Sequence, residues 1–308
     1  MDQVMNDMRK LQHIFFIMLV FFFPFSILVG SDEGAIPEEP PPSASRIVSL
    51  APSFTEILYA LGLGDRVVGV TEYCSYPPEV IEKPKIGGFN NPDIETIVSL
   101  GPDLVLGVHA KVFDTIQKKL ESLGLRSIRL TVDSVSDVRN SAQEISRMAG
   151  VPERGGRLCD EIDAGLKRVQ DSVAERVRPK VVFVIGIEPL VIVGKGPYLD
   201  ELIEIAGGDN VGRDSDAPYL NYSYEQLVVA APDVIVICGM GSDGRPGIAA
   251  ETAKVFSKWT SIPAVKNNRL HTVDFRLAAT PGPRAAKLAK ALALIFHPDL
   301  ASEAGGDK

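Results

Sequence analysis

From residue 46 onward the chain alternates short apolar runs with amphipathic stretches, and this spacing predicts strands and helices in turn. Residues 46–50 read as a strand. The helix that follows runs from Ala51 to Leu61, with Ser53 and Glu56 at capping-box spacing. Gly62 to Asp65 ends it, and residues 66–70 form the next strand. Residues 113–123 are amphipathic, 127–132 a strand, and 136–149 a helix whose Val138, Ala142 and Ile145 share one face. Short polar turns between such elements imply a parallel sheet covered by helices. A second β-α-β unit is expected to begin at residues 180–185.

Residues 91–107 return at residues 221–237, each member 130 positions on, as from Glu95 to Glu225. Asn91, Glu95, Val98, Pro102 and Asp103 recur as Asn221, Glu225, Val228, Pro232 and Asp233. Stacked solenoid units are about 20–50 residues long, so this longer period points to two similar lobes. Each copy predicts a short helix passing through a Pro-Asp turn into a buried strand. Matched lobes on one chain enclose a space between them, which makes a cleft the first clue to function.

Between the two copies, residues 153–178 carry one apolar stripe at helical spacing: Leu158, Ile162, Leu166, Val169, Val173 and Val177. At about 1.5 Å per residue this helix is roughly 39 Å long, enough to cross from lobe to lobe. Pro152 and Pro179 bound it. The expected fold is α/β, two β/α lobes with mainly parallel sheets joined by one long helix. Residues 46–152 form the N-terminal lobe, 153–178 the interlobe helix, 179–298 the C-terminal lobe and 299–308 a disordered tail. A chain of 308 residues exceeds the roughly 250–300 at which a single core stops growing, which favours the same division.

Residues 14–30 are apolar and uncharged, preceded by Arg9-Lys10 and followed by Ser31-Asp32-Glu33. That is the order of a secretory signal, with Val29-Gly30-Ser31 as its cleavage site. Asp2 and Asp7 fit such a leader poorly, whereas a start at Met8 would place Met-Arg-Lys directly before the apolar run. Residues 1–31 are therefore read as a signal peptide or an N-terminal anchor. Residues 32–45, rich in Pro and Glu, are read as a linker. The expected location is periplasmic or otherwise extracytoplasmic. No Cys follows the run to carry a lipid.

The net charge of −8, with no basic stripe, excludes nucleic acid as a partner. Cys74, Cys159 and Cys238 have no CxxC spacing and read as idle thiols, a Cys74–Cys238 bridge being the alternative if their loops face each other. His13, His109, His271 and His297 share no metal-site spacing. Patterns of the GxSxG, HExxH and P-loop kind are absent, and Gly194-Lys195-Gly196 has the wrong spacing for phosphate. A secreted cleft enzyme is thus a minor reading, as is a membrane-tethered sensor that keeps its apolar N-terminus.

Several separate motifs carry a family resemblance. In chain order they are Ala51-Pro52-Ser53-Phe54-Thr55-Glu56, Glu72-Tyr73-Cys74-Ser75-Tyr76-Pro77-Pro78, the stretch 95–105, Gly207-Gly208-Asp209-Asn210-Val211 and Pro281-Gly282-Pro283-Arg284. Over about residues 46–298 the chain resembles the periplasmic binding proteins of the helical-backbone class, the substrate-binding components of ABC importers for vitamin B12, haem and iron–siderophores. The likeness is nearest to the cobalamin-binding members. It implies the class III fold and a monomeric receptor that is no enzyme and has no cofactor. Such a receptor binds a cobalamin-like corrinoid, or alternatively haem or a ferric siderophore, and delivers it to an ABC permease with its ATPase.

The resemblance also implies that Glu95 and Glu225 dock onto arginines of the permease by charge-assisted pairing. For either glutamate alone a plain structural role is the simpler reading, because an acid near a helix N-terminus is favoured by about 0.3–1 kcal/mol, whereas two at the same place in both repeats favour docking. The ligand is expected at loops following strand ends. On the first lobe the candidates are Ser53, Phe54, Tyr73, Phe89 and His109; on the second they are Tyr219, Asp274, Phe275 and Arg276. The loops at 187–189 and 239–241 belong to the same expected rim. Tyr73, Phe89, Tyr219 and Phe275 suit stacking on a large planar ligand, though each alone is ordinary packing. Asp274 and Arg276 suit amide or carboxylate substituents. His109, Tyr73 or Tyr219 could be an axial ligand if the guest is haem. Cobalamin-binding members have a Trp-rich cleft, whereas Trp259 is the only Trp here.

Overall fold

The computed structural model describes residues 43–88, 90–108, 111–238 and 255–303. Strands β1 (Ile47–Ser49), β2 (Val67–Val70), β3 (Leu104–Val108) and β4 (Ser127–Leu130) form a parallel sheet in the order β2-β1-β3-β4. Helices α1 (Pro52–Ala60), α2 (Ile94–Ser99), α3 (Lys111–Ser122) and α4 (Val135–Met148) supply its cover. The strands are apolar on both faces because both are buried. Ile47, Leu104 and Leu106 pack with α1 and α4 on one side, while Val48 and Val105 pack with Ile97 of α2 and Phe113 of α3 on the other.

Helix α5 (Pro152–Val173) connects this sheet to a second one. There, β5 (Lys180–Ile187), β6 (Leu190–Val193), β8 (Tyr219–Asn221), β9 (Val234–Ile237) and β10 (Leu270–Thr272) lie in the order β10-β9-β5-β6-β8, and the short β7 (Asp209–Asn210) also pairs with β5. β9, β10 and β7 run parallel within this sheet, whereas β6 is antiparallel to both β5 and β8. The second lobe therefore opens on a β-hairpin instead of the expected β-α-β unit. Only Glu188 and Pro189 separate β5 from β6, too few residues for a crossover helix. The remaining helices are α6 (Tyr198–Ile205), α7 (Tyr224–Ala230), α8 (Pro263–Lys266), α9 (Phe275–Ala278), α10 (Ala285–Phe296) and α11 (Leu300–Glu303). α11 occupies part of the stretch expected to be a disordered tail, and the Arg176–Asp299 ion pair precedes it.

The duplicated segments occupy equivalent places in different sheets. α2 leads through Pro102-Asp103 into β3, and α7 leads through Pro232-Asp233 into β9. The repeated aspartate has one job in both copies, which is to hold the start of the neighbouring strand. The Asp103 carboxylate accepts from the Ser45 N–H at 2.8 Å and the Ser45 hydroxyl at 2.7 Å, just before β1. That of Asp233 accepts from the Lys180 N–H at 2.8 Å, at the start of β5.

Two sequence expectations need correction. The connecting helix is 22 residues long, not 26, and ends at Val173. Leu158, Ile162, Leu166, Val169 and Val173 are buried as the stripe requires, but Val177 is 91% exposed. Pro179 disfavours helical backbone in the residue before it, and the chain must turn to enter β5 at Lys180, so the last turn unwinds. At α1 the N-cap is Ala51, which makes no side-chain cap, and Pro52 occupies the first turn. Ser53 and Glu56 therefore form no capping box. All three cysteines are free and buried, so Cys74 and Cys238 are not bridged.

Candidate functional site

A cavity of about 850 Å³ lies between the two sheets, at the C-terminal ends of the parallel strands. On the first-lobe side it is lined by Ala51, Pro52 and Ser53 after β1, Val108 at the end of β3, and Val132 and Asp133 after β4. The facing wall is built from the Lys195–Leu199 turn, Pro218 and Tyr219 at β8, Cys238 after β9, and Phe275 in α9. Ile185 of β5 and Pro281 complete its floor. The volume falls in the upper part of the roughly 300–1,000 Å³ typical of small-molecule sites.

The cavity is apolar over most of its wall, and few charges reach it. Asp133 and Lys195 are exposed, and the Lys195 ammonium lies 3.4 Å from Asp216. Tyr219 is 51% exposed, so its ring is available to a guest. Burial raises its phenol above the ordinary tyrosine value, with the Asp133 carboxylate across the cleft adding to the shift. The Cys238 thiol is pushed up to about 12 by burial and then by Asp274, which keeps it protonated and inert. Burial likewise raises Tyr198, and a backbone hydrogen bond from Gly282 to its phenolic oxygen opposes the shift. Among the described residues no group of three or more His, Cys, Asp or Glu side chains is placed to hold a metal ion.

Of the residues singled out from sequence, Ser53, Tyr219 and Phe275 meet at this cavity. Phe54 does not, being fully buried in the core. Residue 54 lies within the helix, as expected, but on the face that turns inward to the core and not on the one that meets the cleft. Tyr73 is 57% exposed beside Gly88 and lines no part of the cavity. Asp274 caps α9, accepting from the Arg276 N–H at 2.7 Å and the Leu277 N–H at 3.2 Å. Arg276 is exposed, and its carbonyl accepts from Arg284 at 3.3 Å. Neither Asp274 nor Arg276 lines the cavity. The expected rim at 187–189 is the hairpin turn between β5 and β6 and does not line the cavity. Phe89, His109 and the loop at 239–241 lie outside the described residues.

The sequence reading missed Asp133, the Lys195–Pro197 turn and Tyr198. Gly194-Lys195-Gly196 has the wrong spacing for a phosphate loop. Its position after an apolar run and before a helix was the signal that a cleft loop lies there.

Glu95 and Glu225 are both exposed and both in the first turn of their helices. Asp93 caps α2, accepting from the N–H groups of Glu95 and Thr96, and Ser223 with Gln226 forms a capping box on α7. On α2 the first N–H groups are therefore satisfied by Asp93, which leaves the exposed Glu95 carboxylate turned to solvent. Bonds to its own backbone and to Ser223 hold Glu225 below the ordinary carboxylate range.

The sequence matches the family described as Periplasmic binding protein over residues 47–277. It is 31% identical to an ABC transporter substrate-binding lipoprotein of Bacillus subtilis, over 91% of this chain and 88% of the relative. Identity to a vitamin B12-binding protein of Vibrio cholerae is also 31%, over 78% of this chain and 85% of that one. The fold superposes on a periplasmic heme-binding protein from Roseiflexus with a TM-score of 0.73 at 27% identity, covering 83% of this chain and 99% of that structure. Two sheets facing a cleft and joined by one helix, together with these matches, establish that the chain belongs to the periplasmic binding protein family, in its class with a helical backbone.

Proposed function

We propose that the protein is an extracytoplasmic receptor that holds a cobalamin-like corrinoid in the interlobe cleft and delivers it to an ABC importer. It is a transport receptor and not an enzyme, and the molecule in its cleft is cargo, not a cofactor. Residues 46–152 and 179–298 would be the two lobes, with an N-terminal export signal before them. Among the described residues no helix is long and apolar enough to cross a membrane.

The observation that carries the corrinoid reading is the chemistry of the cleft wall. It offers apolar surface and the Tyr219 and Phe275 rings to a large flat guest, but Lys195 is its one cation among the described residues, and that ammonium already faces Asp216. Haem carries two propionates that need cations, whereas a corrinoid carries neutral amides, which such a wall accommodates at lower desolvation cost. The vitamin B12-binding relative supports the same choice.

The test is to titrate purified protein with cyanocobalamin and with hemin, following absorption. Saturable binding of cyanocobalamin, weakened about tenfold in Tyr219→Ala by the lost stacking, is expected. A hemin complex with no cyanocobalamin binding would overturn the corrinoid reading in favour of haem.

Glu95 and Glu225 are proposed as the paired contacts to permease arginines, one on each lobe. Their support is that each stands exposed in the first turn of a duplicated helix. The double variant Glu95→Ala with Glu225→Ala should abolish uptake in cells while cyanocobalamin affinity stays within about twofold, since exposed charges far from a site add little to binding there. Lost affinity would instead assign them to the cleft.

A further inference from the structure

Part of the second-lobe wall of the cleft comes from two short turns, one leaving β6 and one entering β8, whose positions depend on what holds them from behind. The first, residues 194–197, follows β6 and places Lys195 at the cavity. The second, residues 217–219, leads into β8 and carries Tyr219. They touch backbone to backbone: the Gly194 N–H donates to the Pro218 carbonyl at 2.9 Å and the Lys195 N–H to the Ala217 carbonyl at 3.3 Å. A Cβ on Gly194 would sit 2.0 Å from the Ala217 carbonyl oxygen, so the approach is closed to any other residue.

Behind these loops lies a carboxylate that is 1% exposed, Asp200 on the first turn of α6. It accepts from the Gly196 N–H at 2.9 Å, where the chain has a φ of +101°. It also accepts from the Asn210 amide at 2.8 Å and from Arg213 at 2.7 Å, which balances its charge. The same Asn210 amide donates to the Gly194 carbonyl at 3.1 Å. One buried group thus ties down both ends of the 194–196 turn, directly at Gly196 and through Asn210 at Gly194. The turn in turn holds the loop of Tyr219.

We infer that Asp200 is the positioning residue of the binding cleft, setting the Lys195 turn and, through it, the Tyr219 ring without touching the ligand. A helix residue whose bonds all served α6 itself would have no reason to reach these two loops. An ordinary ion pair with Arg213 would not require the bonds to Gly196 and Asn210. The inference rests on the cleft being the ligand site, and its test is arranged to read the two separately.

The variant Asp200→Asn keeps the volume but replaces one carboxylate oxygen by an amide donor. That donor must face either the Gly196 N–H or the Asn210 amide, and the tether is lost. Hydrogen exchange of the ligand-free protein should accelerate about tenfold at residues 194–198 and 217–219 and stay unchanged in α4 and α5. Cyanocobalamin affinity should fall about tenfold, through faster release. The control is Leu202→Ala, a core truncation on the same helix that leaves the Asp200 bonds alone. It should lower the melting temperature while leaving loop exchange and affinity as in the wild type. Unchanged loop exchange in Asp200→Asn overturns the inference. So does a loss of affinity that follows lost stability equally in both variants. If the wild type does not bind cyanocobalamin, the corrinoid reading falls, and the ligand-free exchange alone decides the role of Asp200.

Discussion

Ala231 sits at φ 48° and ψ 57°, the left-handed conformation that closes α7. Its counterpart in the first repeat is Gly101, at φ +56° after α2. The two copies thus need the same backbone turn, but only the first has the residue that adopts it without strain. Ala231→Gly should therefore stabilise the protein by about 0.5–1 kcal/mol, relieved strain exceeding the added freedom of the unfolded chain. An unchanged or lower urea midpoint would contradict this.

A second single-residue effect concerns pH. His297 is 5% exposed at the end of α10, and burial holds it below the ordinary value of 6.5, Arg176 adding to the shift and a Gly207 backbone bond opposing it. A depressed histidine contributes stability that is complete above 6.5 and is lost as pH falls through its folded value, because the unfolded chain then binds the extra proton. Unfolding midpoints measured from about pH 7 down to pH 5 should fall in the wild type and fall less in His297→Gln.

At the scale of elements, α5 joins the lobes through bare patches of backbone. Gly155 lies against Ser146 of α4, where an added Cβ would be 2.0 Å from the hydroxyl oxygen. Gly165 lies against Ala286 of α10, with a Cβ–Cβ approach of 2.6 Å. One glycine seats the first lobe's helix and the other the second's, while Gly156 meets nothing within 4 Å. Gly165→Leu should therefore cost about 1–3 kcal/mol or more by overpacking. Gly156→Ala should gain about 0.5–1 kcal/mol, as in any open helix interior. Equal and opposite results in chemical denaturation would show that the two sites had been assigned the wrong way round.

This element also marks how far sequence reading reaches. The stripe from Leu158 to Val173 was legible because helical periodicity is local, and the repeat at Glu95 and Glu225 because it needs no coordinates. The end of α5 was misplaced because Val177 continues the pattern of spacing while the backbone turns toward β5. The cleft was legible as a set of strand ends, which found Ser53, Tyr219 and Phe275. Asp274 was read as a ligand group, yet its oxygens cap α9, a competition between local and distant partners that residue type alone does not decide. The tether of Asp200 to Gly196, Asn210 and Arg213 was invisible for the opposite reason, since its partners converge only when β6, α6 and β7 have packed.

Across the whole molecule, the lobes are joined by more than α5. The Tyr198 N–H donates to the Asp133 carbonyl at 2.7 Å, and the Val135 N–H donates to Glu201 at 3.3 Å, so the end of β4 is stitched to the start of α6. On another part of the seam, Glu56 of α1 forms a bidentate pair with Arg284, which precedes α10, and the Tyr76 ring lies 4.2 Å over the guanidinium. Both side chains are largely buried, at 4% and 15% exposed. Burial raises the Glu56 carboxyl from the ordinary 4.5, and the Arg284 bonds pull back only part of the shift. Removing one partner should therefore hurt far more than removing both. Arg284→Met leaves a buried carboxylate with no counter-charge and should cost about 3–5 kcal/mol near neutral pH, whereas the double variant Glu56→Leu with Arg284→Met should recover most of that loss. The sign of the pH dependence follows. With Arg284 gone the folded carboxyl is raised further, so the penalty is full above its folded value and vanishes below the unfolded 4.5, where both states hold the proton. The gap between Arg284→Met and the wild type should then narrow as pH falls toward 4.5. A gap that stayed constant across that range would mean that Glu56 is solvated in the variant and that this part of the seam opens without cost.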